Sequence, residues 1–315
     1  MNRIGTSDLE VFPLCLGGNV FGWTADRDTS FDILDAYARA RGNVIDTADA
    51  YSSWAPGHSG GESEEIIGAW MAKRGNRGSM VVATKVGKLP QLHGLSHDVI
   101  RQACEDSLRR LRTDYIDLYY CHADDPDVPL QETLMALAEL VDEGKVRYIA
   151  ASNYSAERLA EALKVSDSMG LPRFVALQPH YNLVVRNEYE GAVRDLCERE
   201  QISCLPYFPL GAGFLTGKYR SSEDIGDGPR SARVSDYAHA RGWRVLSAVD
   251  QVASQHDVSN SEVALAWLMH QPTVAAPIAS VTSLAQLAEV LDAVHLQLTE
   301  ADLAALSAAS ASDEP

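Results

Sequence analysis

Short apolar runs rich in Val, Ile and Ala alternate with longer segments of helical period through most of the chain. The runs fall near 11–16, 43–48, 80–86, 115–121, 147–151, 174–178, 202–207 and 273–279. Helical patterns lie between and after them, near 29–41, 61–73, 96–111, 130–143, 155–169, 186–200, 245–256 with 260–270, and 283–293. Runs that are apolar on both faces suit strands covered on both sides, and their alternation with helices is the mark of parallel βαβ units. Eight such runs predict an α/β fold closed into a (β/α)₈ barrel rather than an open sheet. Ser96, Ser155 and Asn260 precede helical runs as candidate N-caps, and Gly144 and Gly170 stand just past helix ends.

Additions to the barrel are predicted at both ends. The first residues form a small β-hairpin turning at Gly5-Thr-Ser-Asp8, and Thr299 caps an extra C-terminal helix, beyond which the tail from Ser307 to Pro315 reads as frayed. Two stretches, 52–60 and 208–243, are too long for ordinary connections and follow strand ends, which marks them as functional loops. At 315 residues the chain has the length of one such barrel, so 1–315 is expected to be a single domain.

Composition narrows the function. A net charge of −17 argues against nucleic acid or an anionic membrane as partner, so any anionic ligand must be held by local groups. No apolar stretch is long enough to span a bilayer and the polar start lacks a signal core, which points to a cytoplasmic protein. The five cysteines lack C-x-x-C spacing, which supports neither a disulfide framework nor a zinc ribbon.

Four residues stand where a proton-transfer site needs them: Asp46, Lys85 and His122 at the C-terminal ends of consecutive strand-like runs, and Tyr51 opening the loop after the first of these. In a parallel barrel those ends share one rim. A phenol is a poor acid at neutral pH, with a reference pKa of about 10. Lys85 beside it favours phenolate character, Asp46 keeps the ammonium charged, and His122 hydrogen-bonds the same carbonyl oxygen. Trp23, Trp54 and Tyr181 fall in or near rim loops and, with Tyr51 and His122, are candidates to wall a substrate pocket.

Several segments, taken in order, carry a resemblance: Leu16-Gly-Gly-Asn-Val-Phe-Gly22, Asp46-Thr-Ala-Asp-Ala-Tyr51, Gly61-Glu-Ser-Glu-Glu-Ile-Ile-Gly68, Thr84-Lys85, His122-Ala-Asp-Asp-Pro126, Ser152-Asn153, Gln178 and Leu210-Gly-Ala-Gly-Phe-Leu-Thr-Gly-Lys-Tyr219. In these the chain resembles the aldo-keto reductases. The resemblance implies a TIM barrel that binds NADP(H), with NAD(H) not excluded, and reduces a small-molecule carbonyl to its alcohol with Tyr51 as general acid. It also implies that Gly18, Asn19, Val20 and Asp46 border the cofactor. Ser152, Asn153 and Gln178 would hold the carboxamide and Tyr207 would stack on the nicotinamide. Phe208, Pro209, Leu210, Gly211, Gly213, Thr216, Gly217 and Lys218 would form the pyrophosphate loop, and Ala279, Ser280, Thr282, Gln286 and Glu289 the adenosine end.

One departure matters. Between Pro277 and Glu289 there is no Lys or Arg, so a 2′-phosphate would rest on hydroxyls and the N-terminus of the next helix, with Arg230 and Arg233 of the long loop as the other basic candidates. Two rival readings are a redox-sensing regulatory subunit of the potassium-channel β type, with low turnover, and a metal-dependent hydrolase built on His122, Asp124, Asp125 and His180. No metal is expected, and the oligomeric state is left open.

Overall fold

A computed structural model describes residues 1–228 and 231–311; Arg230 and the last four residues of the tail lie outside the described residues. The chain opens with an antiparallel pair, β1 (Asn2–Arg3) and β2 (Glu10–Val11), joined by the expected turn. The barrel strands follow: β3 (Cys15–Gly17), β4 (Val44–Asp46), β5 (Val81–Val86), then β8 (Ile116–Cys121), β9 (Val146–Ser152), β10 (Ala176–Gln178), β11 (Ser203–Cys204) and β12 (Ile278–Ala279). Between β5 and β8 lies a second small hairpin, β6 (Lys88–Leu89) with β7 (Leu92–His93), which the apolar pattern did not reveal.

All eight barrel strands run parallel, in the order β11-β10-β9-β8-β5-β4-β3-β12. The two edges meet. Cys204 N–H donates to Thr273 O at 2.8 Å, Ala275 N–H to Cys204 O at 2.9 Å and Ile278 N–H to Pro206 O at 2.9 Å, which closes the sheet on itself. Inside it lie Cys15, Val44, Ala83, Leu118, Tyr120 and Ala176, and the N-terminal hairpin plugs the floor with Ile4, Leu9 and Val11. A second and larger core fills the space between sheet and helices around Trp70, Tyr37 and Trp267. Burial on both faces explains why the strands read as continuous apolar runs.

The helices are α1 (Arg27–Arg39), α2 (Glu62–Arg74), α3 (His97–Leu111), α4 (Leu130–Asp142), α5 (Ala156–Met169), α6 (Ala192–Arg199), α7 (Ser231–Ser235), α8 (Ala240–His256), α9 (Asn260–Met269), α10 (Leu284–Asp292) and α11 (Glu300–Ser310). Four expectations need correction. The helix expected from 186 starts at Ala192, because Arg186–Glu190 closes a turn, Tyr189 is buried and Gly191 takes φ 88°. The cap of α9 is Ser259, whose hydroxyl accepts from Glu262 N–H while Glu262 accepts from Ser259 N–H; Asn260 is already helical. α8 begins earlier than its apolar periodicity suggests, capped by His239. Thr299 caps α11 as expected, but the helix holds through Ser310, so the residues from Ser307 to Ser310 are not frayed.

Candidate active site

Parallel strands present their C-terminal ends at one rim, and β4, β5 and β8 bring Asp46, Lys85 and His122 there together with Tyr51. Lys85 Nζ donates to Asp46 Oδ2 at 2.7 Å, to Thr47 O at 2.7 Å and to the Tyr51 hydroxyl at 2.8 Å. The Tyr51 hydroxyl donates in turn to Asp46 Oδ2 at 2.9 Å, and Gln178 Nε2 donates to Asp46 Oδ1 at 2.9 Å. Each carboxylate oxygen of Asp46 is thus held. The ammonium also lies 4.5 Å from the centroid of the Tyr51 ring.

Electrostatics reverse one expectation. Burial first, then the Asp46 carboxylate, push the Tyr51 phenol well above its ordinary pKa, so the neighbouring ammonium does not make it a phenolate. Burial also lowers the Lys85 pKa, against the opposing pull of Asp46. His122 is driven well below its ordinary value by burial and by Lys85 and Lys88, and its ring is therefore neutral. The His122 Nδ1 is buried without a partner, and the ring stands edge-on to Tyr51 at 6.2 Å.

A cavity of about 590 Å³ runs from this cluster to the start of α10. Of the expected residues, Asn19, Asp46, Tyr51, Trp54, His122, Ser152, Asn153, Gln178, Tyr207, Phe208, Pro209, Leu210, Gly213, Thr216, Lys218, Ala279, Ser280, Gln286 and Glu289 line it. Lys85 does not; it is fully buried beneath Tyr51. Ser152 Oγ donates to Gln178 O at 2.9 Å, and Asn153, with φ 57°, donates to His122 O at 2.9 Å and accepts from the Tyr207 hydroxyl at 2.8 Å. Tyr207 also stacks on His180 at 5.3 Å, so one face of its ring is taken.

Other expected residues stand outside the lining. Tyr181 is wholly buried against Tyr189 and Trp267 and donates to Glu190, which makes it a core residue and not a substrate wall. Trp23 supports Trp54 edge-on at 5.5 Å rather than facing the cavity. Val20 is fully buried, Gly18 N–H donates to Asp46 O at 2.7 Å, and Gly211 and Gly217 shape the loop through φ 55° and 78°. Thr282 is spent on Gln286, to which it donates through both N–H and hydroxyl. Sequence reasoning missed Lys88, Ser53 and Ser261 as lining residues, named Arg233 only as a candidate phosphate holder, and weighed His180 only as a metal ligand. The hairpin turn after β5 was the one available signal for Lys88.

Cofactor fit rests on three observations. Asn19 Oδ1 is a buried acceptor without a partner at the cavity wall. A Cβ on Gly213 would come within 3.2 Å of Lys218 Nζ, so a glycine there leaves room beside a cation. The segment 277–289 puts Ser280, Gln286 and Glu289 in the lining with no Lys or Arg among its own residues. The first two suit an amide and a pyrophosphate; the third suits a ribose hydroxyl better than a phosphate. The proposed metal set is dispersed. Asp124 is held by Arg158 at 2.8 Å, Asp125 accepts from Leu95 N–H at 2.9 Å, and His180 Nε2 bonds the Tyr237 hydroxyl at 2.7 Å. No cluster able to hold a metal ion occurs among the described residues, and no helix among them is long and apolar enough to cross a membrane.

Behind the tetrad lies a second buried charged group. Glu64 accepts from Thr84 Oγ1 at 2.5 Å and from Arg110 Nε at 2.7 Å. Among the described residues neither carboxylate oxygen of the fully buried Asp49 has a side-chain partner, and burial, helped by Glu64, pushes its pKa up to about 8 against a weaker pull from the Ala50 N–H.

The motifs and this geometry agree with what the chain is similar to. The model of the Aldo/keto reductase family matches residues 13–311. Protein tas of Escherichia coli is 33% identical, over 98% of this chain and 96% of that protein. Norsolorinic acid reductase of Aspergillus flavus is 31% identical over 95% of this chain and 77% of its own length. A probable voltage-gated potassium channel subunit beta of rice is 31% identical over 93% and 90%. With a family model that spans nearly the whole chain and relatives matched almost end to end, the chain belongs to the aldo/keto reductase family, and so to the nicotinamide-dependent carbonyl oxidoreductases.

Proposed function

We propose that the protein interconverts an aldehyde or ketone with its alcohol, with Tyr51 as the proton donor and a nicotinamide cofactor along the cavity. The observation that carries this reading is the triangle in which Lys85 Nζ lies 2.7 Å from Asp46 and 2.8 Å from the Tyr51 hydroxyl. When bound, the cofactor supplies hydride to the carbonyl carbon. Tyr51 keeps its proton until a strong base, the developing alkoxide, draws it off, because burial and Asp46 hold the phenol's pKa up. Lys85 then stabilises the phenolate that forms, and neutral His122 offers a ring N–H to the same oxygen.

Ser152, Asn153 and Gln178 would hold the carboxamide, and Lys218 beside Gly213 the pyrophosphate. NADP(H) is the cofactor the resemblance implies, but the segment 277–289 offers a carboxylate, Glu289, and no guanidinium of its own, which supports use of NAD(H) as well with weak discrimination. Fluorescence titration with NADPH and NADH, followed by a carbonyl panel with the tighter one, tests the reading. Turnover of simple aldehydes that disappears in Tyr51→Phe supports it. Tight cofactor retention with negligible turnover across the panel would instead favour a redox-sensing regulatory subunit, a role kept in view by the similarity to the potassium channel subunit.

A further inference from the structure

The chain carries a net charge of −17, yet two cations from separate loops line the cavity. Lys88 opens the β6–β7 hairpin that follows barrel strand β5, and Arg233 sits in α7 of the long loop after β11. Among the described residues neither has an ion pair or a side-chain hydrogen bond. Arg233 only overlies the Phe208 ring, at 5.7 Å. The two charges act on one another: Arg233 and Lys85, after desolvation, lower the pKa of Lys88, and Lys88 in turn contributes to lowering that of His122.

Carboxylates do not answer them. Asp46 is committed to Lys85, Tyr51 and Gln178. Glu188 and Asp236 act on His180, as Arg233 does, but neither lines the cavity or forms an ion pair with Arg233 among the described residues. Glu289 lies at the α10 end, with the Ser280 and Gln286 side chains, while Lys88 is grouped electrically with His122 and Lys85. Two like charges from different loops, lining one cavity without a counter-ion, are stabilised when an anion comes between them. Lys88 acts on His122, so an anion held by the pair can belong to the molecule whose carbonyl meets Tyr51 and His122.

Building on the proposed carbonyl chemistry, we infer that the substrate is an oxo acid, whose carboxylate is bound in the cavity by Lys88 and Arg233 while its aldehyde or ketone oxygen meets Tyr51 and His122. The balance is simple. Hydride passes from NAD(P)H to the carbonyl carbon, Tyr51 gives its proton to the oxygen, the carboxylate is unchanged, and the products are a hydroxy acid and oxidised cofactor. Trp54, half exposed at 51% and edge-on to Tyr51 at 6.2 Å, supplies an apolar wall for the carbon chain between the two polar ends.

The test compares straight-chain ω-oxo carboxylates with their methyl esters, which differ in charge and little in shape. Wild type should show a higher kcat/KM for the acids at the best chain length, by up to about 25-fold, since two exposed ion pairs contribute up to about fivefold each. Lys88→Met and Arg233→Met should each cut that preference by raising KM for the acids, and Arg233→Met should leave ester turnover and NAD(P)H affinity as they were. Equal turnover of acid and ester in wild type would overturn the inference while leaving the carbonyl reading intact. So would an Arg233→Met variant that loses NAD(P)H affinity and keeps the acid preference. Should no carbonyl turn over, the carbonyl reading fails by itself, and direct binding still decides this one. With oxidised cofactor present, ω-hydroxy carboxylates should quench tryptophan fluorescence at lower concentration than the matching diols, and Lys88→Met should remove the difference. Equal affinity for acid and diol would overturn it.

Discussion

At the Tyr51 end of the cavity the polar groups come from the ends of β4, β5 and β8, and both oxygens of Asp46 are held by hydrogen bonds. At the α10 end, Ser283 is spent on capping Gln286 N–H at 3.2 Å, Thr282 on the Gln286 side chain, and the polar side chains facing the cavity are the Ser280 hydroxyl, the Gln286 amide and the Glu289 carboxylate. One end is a closed network on rigid strands; the other is a helix start that satisfies itself and leaves selectivity to single side chains. Loss of one group should therefore be severe at the first end and graded at the second.

The largest effect is expected from Tyr51→Phe. Removing the hydroxyl that Lys85 and Asp46 position should lower carbonyl turnover by about 10²–10⁴-fold, with cofactor affinity nearly unchanged. Near-wild-type turnover measured in steady state would dismiss Tyr51 as the donor. Lys85→Met and Asp46→Asn should each lower turnover, and the double variant should lose far less than the product of the two, because each residue acts through the same hydroxyl. Lys85→Met also leaves Asp46 buried without its counter-charge, at a stability cost of about 3–5 kcal/mol, so folding must be checked by thermal melts before the rates are compared. Multiplicative losses in well-folded variants would show that the pair is not coupled.

Asp49 should matter to stability in the opposite sense. Its carboxyl titrates at about 8 in the fold, against about 3.9 when unfolded, so between those values the folded state binds the extra proton and stability falls as pH rises. Asp49→Asn removes that loss. The variant should melt higher than wild type by a margin that grows from pH 5 to pH 8, on the order of a few kcal/mol at the upper end. A margin independent of pH would mean that Asp49 does not take up a proton across this window.

How much of this was legible in the sequence follows the same division. The eight strands and the tetrad could be read because buried parallel strands are apolar throughout and a polar residue at their ends stands out, as Asp46, Lys85 and His122 do. Tyr181 could not be placed, since a loop aromatic beside a strand end can turn outward or, as here, into the core against Trp267. Lys88 was not singled out, and Arg233 was named only as a candidate for a phosphate. They sit in a short hairpin and a five-residue helix, whose positions over the rim depend on loop paths that no period encodes. The phenol's protonation was misjudged for a related reason: the ammonium was visible in the motif, but the depth of burial that outweighs it was not.

The smallest expected effect sharpens the contrast at the α10 end. Glu289 lines the cavity there and the segment 277–289 contains no Lys or Arg, so a ribose hydroxyl can donate to its carboxylate, whereas a 2′-phosphate meets a like charge. Ser283 is a poor place to add a cation, because its hydroxyl caps α10 and its loss would cost about 1 kcal/mol of helix stability. Glu289→Gln is the cleaner change: it keeps size and hydrogen bonding and removes only the charge. Wild type should discriminate between NADPH and NADH by no more than about tenfold, or roughly 1.4 kcal/mol, and Glu289→Gln should shift the ratio toward NADPH by a few-fold. Parallel fluorescence titrations at fixed ionic strength measure both. A wild-type preference for NADPH above about a thousandfold, or roughly 4 kcal/mol, or a ratio that Glu289→Gln leaves untouched, would mean that the phosphate is held by groups away from α10.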